Sequence, residues 1–385
     1  MNRDRFPGLA DGWARLDGPG GTQMVDVAID AMTDWMRSGR TANEGGAFPH
    51  AEASVEIVES TRAAVAEMLG ADAHGIAFGP SMTSLTMAVS AAAGRTLRPG
   101  DEIVCTRLDH DANVRPWLIA AERAGARVRF AEPEPERLEL PASSVEAVLS
   151  DRTRWVAVTA ASNAIGTVPD LPGIVAAAHR VGARVYVDAV HASPHRPHSV
   201  DELGVDALAC SAYKWFGPHI GVLAARPELL AELTPDKLRP SSDGVPERWE
   251  LGTLPFESLA GVRAAADYVT SLSWEEVRAH EDSLLEAARA GLAAIDGVTL
   301  YGDARDRTPT LMFNVAGRSA REVAAALAAS EIAVWDGNYY AWELERHLGL
   351  APDGAVRAGF VHYNDASDAE RLLAAVAELA SPVQR

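Results

Sequence analysis

Between residues 55 and 225, short apolar runs alternate with longer stretches of helical period. "GIAFG", "DEIVCTR", "RVRFAE", "RWVAVTAAS" and "RVYVDAV" read as strands, and "DALACSA" and "IGVLAAR" as two more. The intervening segments repeat their apolar positions every three to four residues, as a helix does. They are "ASVEIVESTRAAVAEMLG", ended by Gly70, then "SMTSLTMAVSAAAGRTL", "NVRPWLIAAERAGA", "SSVEAVLSDRT" and "LPGIVAAAHRVGA". Strands that alternate with helices and are apolar on both faces predict an α/β fold with a mostly parallel sheet, covered on each side. In such sheets the ligand lies beyond the carboxyl ends of the strands. The polar residues that end each apolar run are therefore the candidates for chemistry.

After residue 257 the pattern changes. "SLAGVRAAADYVTSLSWEEVRAHEDSLLEAARAGLAAI" is one long helical stretch, followed by "TLMFNVAG", "REVAAALAAS", "IAVWDG" and "AVRAGFVHYN". That predicts a smaller α+β domain. No repeat or low-complexity segment interrupts the chain.

Composition narrows the function. The chain has 385 residues, 48% hydrophobic and 23% charged, enough for a large core and two domains. A formal charge of -19 argues against nucleic acid or an anionic membrane as partner. The polar N-terminus "MNRDRFPGLADGW" does not resemble a signal peptide, and no apolar run reaches membrane-spanning length. A cytoplasmic location is the expectation. Cys105 and Cys210 both lie inside apolar runs, where small buried thiols in a reducing compartment are expected. No Cys/His spacing suggests a metal.

One residue sits badly in this pattern. Lys214, in "DALACSAYKWFGPHIGVLAAR", follows a strand in apolar and aromatic surroundings. Either it snorkels to solvent, as most lysines do, or its amine is kept neutral and nucleophilic for a Schiff base. Other strand ends decide between these. "YVDAVHASPH" places Asp188 at the carboxyl end of one strand and "VTAASNAIG" places Asn163 after another, with Lys214 26 residues beyond Asp188. A strand-end aspartate followed by a strand-end lysine is what a pyridoxal phosphate site requires. The lysine links to the cofactor, and the aspartate keeps the pyridine nitrogen protonated. "FGPSMTSLTMAVS" adds a turn and a hydroxyl-rich helix start suited to a phosphate. Alone that is weak, because Ser and Thr cap many helices.

With these residues in place, the chain resembles fold-type I pyridoxal-phosphate enzymes of the class V aminotransferase group, particularly cysteine desulfurase-like proteins. The resemblance runs from "RLDGPGG" to "RAGFVHYND". It implies a large domain at 31–256 built on a seven-stranded, mostly parallel sheet. It also implies a smaller α+β domain at 257–385 and an N-terminal segment, 1–30, packing on that domain. It makes Lys214 the Schiff-base lysine and Asp188 the pyridinium partner. His191, in place of a glutamine, and Asn163 stand at the ring hydroxyl edge. Met82, Thr83, Ser211 and Tyr213 contact the phosphate, and Arg357 grips the substrate carboxylate. Relatives are homodimers with shared sites, and "WELGTLPFESLAG" matches the loop that reaches a partner, Thr253 standing in for its usual threonine.

Two departures shape the expected chemistry. Desulfurases carry a mobile cysteine in the small domain, but this chain reads "AVWDGNYYAWELERHLGL" there. In "LDHDANVRPW" the relatives' stacking histidine aligns with Asp111, with His110 one place early. His110 and Asp111 are therefore joint candidates for catalysis, against the plainer reading of a turn capping the next helix. Trp335, Tyr339, Tyr340 and Trp342 either pack the domains together or, with Asn338, line a pocket for a substrate larger than cysteine. The expected function is a pyridoxal-phosphate lyase that breaks the carbon–sulfur bond of an S-substituted cysteine. Aminotransfer, epimerisation, decarboxylation-coupled oxidative deamination and desulfuration are the alternatives of the same fold, and a non-catalytic binding module is the alternative of another class.

Overall fold

A computed structural model of the chain describes residues 3–381. Residues 1, 2 and 382–385, the outer ends of the expected N-terminal segment and C-terminal domain, lie outside the described residues. The strands, in chain order, are β1 (Ala14–Arg15), β2 (Ile76–Gly79), β3 (Glu102–Thr106), β4 (Arg127–Ala131), β5 (Thr153–Thr159), β6 (Arg184–Asp188) and β7 (Ala207–Ser211). They continue with β8 (Gly221–Ala225), β9 (Val298–Tyr301), β10 (Thr310–Val315), β11 (Ile332–Ala333), β12 (Trp335–Gly337) and β13 (Ala355–Gly359).

Seven strands form the main sheet in the order β2-β8-β7-β6-β5-β3-β4. The run from β7 to β4 is parallel throughout, and β8 runs against both of its neighbours. The pleat explains the near-continuous apolar runs. In β6, Val185 and Val187 enter the core on one face while Tyr186 enters the core on the other. β5 does the same with Val156 and Val158 against Trp155 and Ala157. Each of these buried valines contributes about 1.5–3 kcal/mol. On one face the helices Met82–Gly94 and Arg115–Ala124 cover the sheet, and on the other Pro49–Leu69 and Leu171–Arg180.

A second sheet, β12-β13-β10-β9, is antiparallel. Its core of Phe313, Val356 and Phe360 packs on Leu284 and Leu285 of the helix Trp274–Ala293 and Leu372 of Ala366–Ala380. The N-terminal segment lies beside it: β1 pairs with β11 in a separate two-stranded sheet, and Arg3 bonds Asp365 and Asp368 at 3.1 and 2.8 Å.

Three elements differ from the sequence pattern. The stretch after 257 is two helices, Phe256–Thr270 and Trp274–Ala293, because Ser273 caps the second by accepting the Glu276 amide. The first of these sends Leu259, Val262 and Val269 into the large-domain core, which thus extends past residue 257. "IAVWDG" is interrupted at Val334, its two halves serving different sheets. "SSVEAVLSDRT" is helical only over Ala142–Glu146.

Candidate active site

The site forms where the strands of the parallel sheet end. Asp188 closes β6 and pairs in register with Thr159 of β5 and Ala209 of β7. Its carboxylate accepts the Val190 amide at 2.9 Å, and burial pushes it up to about 6. Lys214 follows β7 in the short turn Ala212–Lys214. That turn is tied to the N-terminal loop through Thr22, whose hydroxyl donates to the Tyr213 carbonyl at 3.1 Å and accepts the Phe216 amide at 3.0 Å. The tie places the lysine amine against the Pro19 carbonyl, to which it donates. Lys214 is only 7% exposed. Burial lowers its pKa to about 7, aided by Arg357 and opposed by Asp188. The snorkelling alternative is thus not what the fold adopts.

At one end of the cavity Ser81 caps the helix Met82–Gly94 in a reciprocal arrangement with Ser84. The Met82 amide donates to the Ser211 hydroxyl at 3.2 Å, joining the helix start to the end of β7. β8 begins with Gly221 because a Cβ there would lie 2.2 Å from the Ser81 carbonyl carbon. Tyr213 stacks on His219, ring centres 4.7 Å apart.

The opposite wall is built across the two sheets. Arg357 of β13 is buried, donates to the Asn163 carbonyl at 2.8 Å, and lies over the Tyr339 ring. The Asn163 amide nitrogen donates to the Tyr339 carbonyl at 2.9 Å. His191 meets the Thr308 and Thr310 hydroxyls at 3.0 and 2.9 Å through Nε2, and burial keeps it neutral. His110 accepts the Ala112 amide at Nδ1, so its neutral form carries its proton on Nε2. Burial, with Lys214 and Arg357, lowers it to about 4.

One cavity of about 530 Å3 gathers Lys214, Asp188, His191, Asn163, Met82, Thr83, Ser211, Tyr213, His110, Asn338, Tyr339 and Arg357. Asp111 is the exception among the expected residues of this chain's own site. The turn that His110 caps directs the imidazole to the cavity and leaves Asp111 outside it, its amide donating to the Tyr340 carbonyl at 2.7 Å. His110 therefore caps the turn and also walls the cavity. Thr253 is exposed and outside the cavity of its own chain. Of the aromatic run, Trp335, Tyr339 and Tyr340 line the cavity and Trp342 does not.

Sequence reasoning missed Pro19, Thr308, Thr310 and Asp336. The Gly/Pro turn in "LDGPGG" was the available signal for the first, and nothing local marks the threonines. The donor set fits pyridoxal phosphate: a buried amine and a buried carboxylate face one cavity beside a helix N-terminus. Two buried polar atoms at its wall, Asn163 Oδ1 and Arg357 Nε, have no hydrogen-bond partner among the described residues. Cys105 and Cys210 lie in β3 and β7, fully buried in the cores on either face of the sheet. Among the described residues no cluster could hold a metal ion, and no helix is long and apolar enough to cross a membrane.

Comparison with known proteins agrees with this geometry. The aminotransferase class-V family model matches residues 14–372. A probable cysteine desulfurase of Mycolicibacterium paratuberculosis is 35% identical over 379 residues, which are 95% of this chain and 55% of that protein. The chain thus spans little more than half of that relative's length. A cysteine desulfurase of Pectobacterium atrosepticum is 31% identical, covering 94% of this chain and 91% of that one. The apo structure of the cysteine desulfurase from Thermococcus onnurineus NA1 superposes with a TM-score of 0.91 at 27% identity, over 98% of this chain and 97% of that one. The sheet order, the cavity at the strand ends and these likenesses lead to one assignment: the chain belongs to the class-V aminotransferase family of pyridoxal-phosphate enzymes.

Proposed function

We propose that the chain is a lyase that breaks the carbon–sulfur bond of an S-substituted cysteine, releasing a thiol, pyruvate and ammonia. The observation that carries this reading is the absence of a usable thiol at the cavity. The chain has two cysteines, both in strands, and burial pushes the Cys105 thiol well up and that of Cys210 up to about 12. A thiol so placed is neither ionised nor mobile, so it is unsuited to attack a substrate sulfur.

When bound, pyridoxal phosphate supplies an electron sink that weakens the bonds at the substrate α-carbon. Lys214 would hold the cofactor and, once displaced by substrate, take the α-proton at Nζ. A lysine lowered to about 7 is suited to that exchange. His110 is a poorer base, because its Nδ1 is engaged and its Nε2 carries the proton. Asp188 would hold the proton at the ring nitrogen. His191 and Asn163 would face the ring hydroxyl, and Ser211, Tyr213, Met82 and Thr83 the phosphate. Arg357 would fork the substrate carboxylate. Removal of the α-proton and departure of the thiolate balance, since the proton leaves with the thiol. Water then converts the remaining enamine to pyruvate and ammonia.

Shared sites in a homodimer fit the exposed segment around Leu251, 67% exposed, which carries Thr253. The names of the relatives favour desulfuration as the second reading. The two are separated by incubating the enzyme with cysteine and with S-alkylcysteines. Pyruvate and free thiol in equal amounts, with unmodified protein by mass spectrometry, support the lyase. A persulfide on either cysteine overturns it.

A further inference from the structure

Two half-exposed rings stand at the mouth of the cavity. Trp335 opens β12 and pairs with Arg357 of β13, so both side chains project from the same face of the sheet. The indole packs against Gly20, where a Cβ would lie 2.3 Å from Nε1. Trp335 is nevertheless 51% exposed, and Tyr340, whose ring stacks on His110 at 5.3 Å, is 69% exposed. Both line the same cavity as Lys214.

The backbone that carries Tyr340 is strained. Tyr339 and Tyr340 take φ of +53° and +59°, two successive side-chain-bearing residues in the left-handed region. The strain is pinned from the large domain, by the Asn163 side chain on the Tyr339 carbonyl and by the Asp111 amide on the Tyr340 carbonyl. A chain that only needed to bury Tyr340 would not hold it strained at an opening. Cysteine ends at its sulfur and carries no substituent for these rings to contact.

We propose that Trp335 and Tyr340 form the specificity site for the sulfur substituent, and that this substituent carries an aromatic ring. This rests on the lyase reading of the same cavity.

The test measures binding without turnover. Lys214→Ala protein loaded with pyridoxal phosphate is titrated by calorimetry with S-methylcysteine and S-benzylcysteine. The benzyl ligand should bind at least about tenfold tighter than the methyl one. Adding Trp335→Ala or Tyr340→Ala should remove most of that preference while leaving S-methylcysteine within about twofold. Equal binding of methyl and benzyl ligands, or equal loss of both in the variants, overturns the proposal. So does a variant that splits a dimer without changing the ratio, because the rings then cover an interface. If S-benzylcysteine binds selectively but wild-type enzyme forms no pyruvate from it, the specificity site stands and the lyase reading fails.

Discussion

The guanidinium of Arg357 lies over the ring of Tyr339, 4.4 Å from its centre. Arg357 also donates to the Asn163 carbonyl, so a residue of the smaller sheet is fixed by a residue beyond β5 of the larger one. Burial lowers its pKa to about 10, which still leaves it charged at neutral pH. A buried cation with an unpartnered Nε is poised for an anion.

Arg357→Ala should therefore weaken amino-acid binding by about 2–3 kcal/mol, roughly a thirty- to hundred-and-fifty-fold rise in apparent KM. Arg357→Lys should recover only part of this, since an ammonium cannot form the fork. Steady-state kinetics on several amino acids decides the matter. An unchanged KM would place the carboxylate elsewhere.

Lys214 links the site to stability. Its pKa falls from 10.5 unfolded to about 7 folded, so between those values the unfolded chain binds more protons and stability rises with pH. Below about pH 7 the folded apoprotein carries a buried ammonium at a net cost. Apo Lys214→Met should be more stable than apo wild type at pH 6, by on the order of 1–3 kcal/mol, and the gap should close by about pH 10. Urea unfolding at both pH values measures it. A gap that does not vary with pH would mean that the amine is not desolvated.

Asp188→Asn keeps the shape of the side chain and removes the charge. It should fold, retain some cofactor by its visible absorption, and lose most turnover, because a neutral amide cannot hold the ring-nitrogen proton. Wild-type turnover in this variant would show that the nitrogen is handled otherwise.

The Cys105→Ala/Cys210→Ala double variant should keep its activity. Each substitution removes one small buried side chain, at on the order of 1 kcal/mol. Loss of turnover in a protein whose circular dichroism and melting remain near normal would restore a sulfur relay.

The large-domain strands were readable because both faces are buried, so runs such as "RVYVDAV" carry β-branched and aromatic residues without polar breaks. Asp188 and Lys214 stood out because a charged group directly after such a run needs a reason. Contacts between distant parts of the chain were not readable. The Pro19 carbonyl meets Lys214 across 195 residues, and Thr310 meets His191 across 119. Nothing local in "RTPT" marks a hydroxyl that will face an imidazole. The choice between His110 and Asp111 was hidden for another reason. One turn decides which of two adjacent side chains enters the cavity, and that turn is closed by His110 itself. Val334 likewise looks like mid-strand residue in sequence, yet its neighbours pair with different sheets.

The most direct measurement of the central claim is to trap the cofactor. Protein loaded with pyridoxal phosphate is reduced with borohydride, digested and mapped by mass spectrometry. The pyridoxyl label should fall on Lys214, with loss of the visible absorption band. A label on Lys237, or none on any lysine, would contradict the assignment of this cavity as the active site.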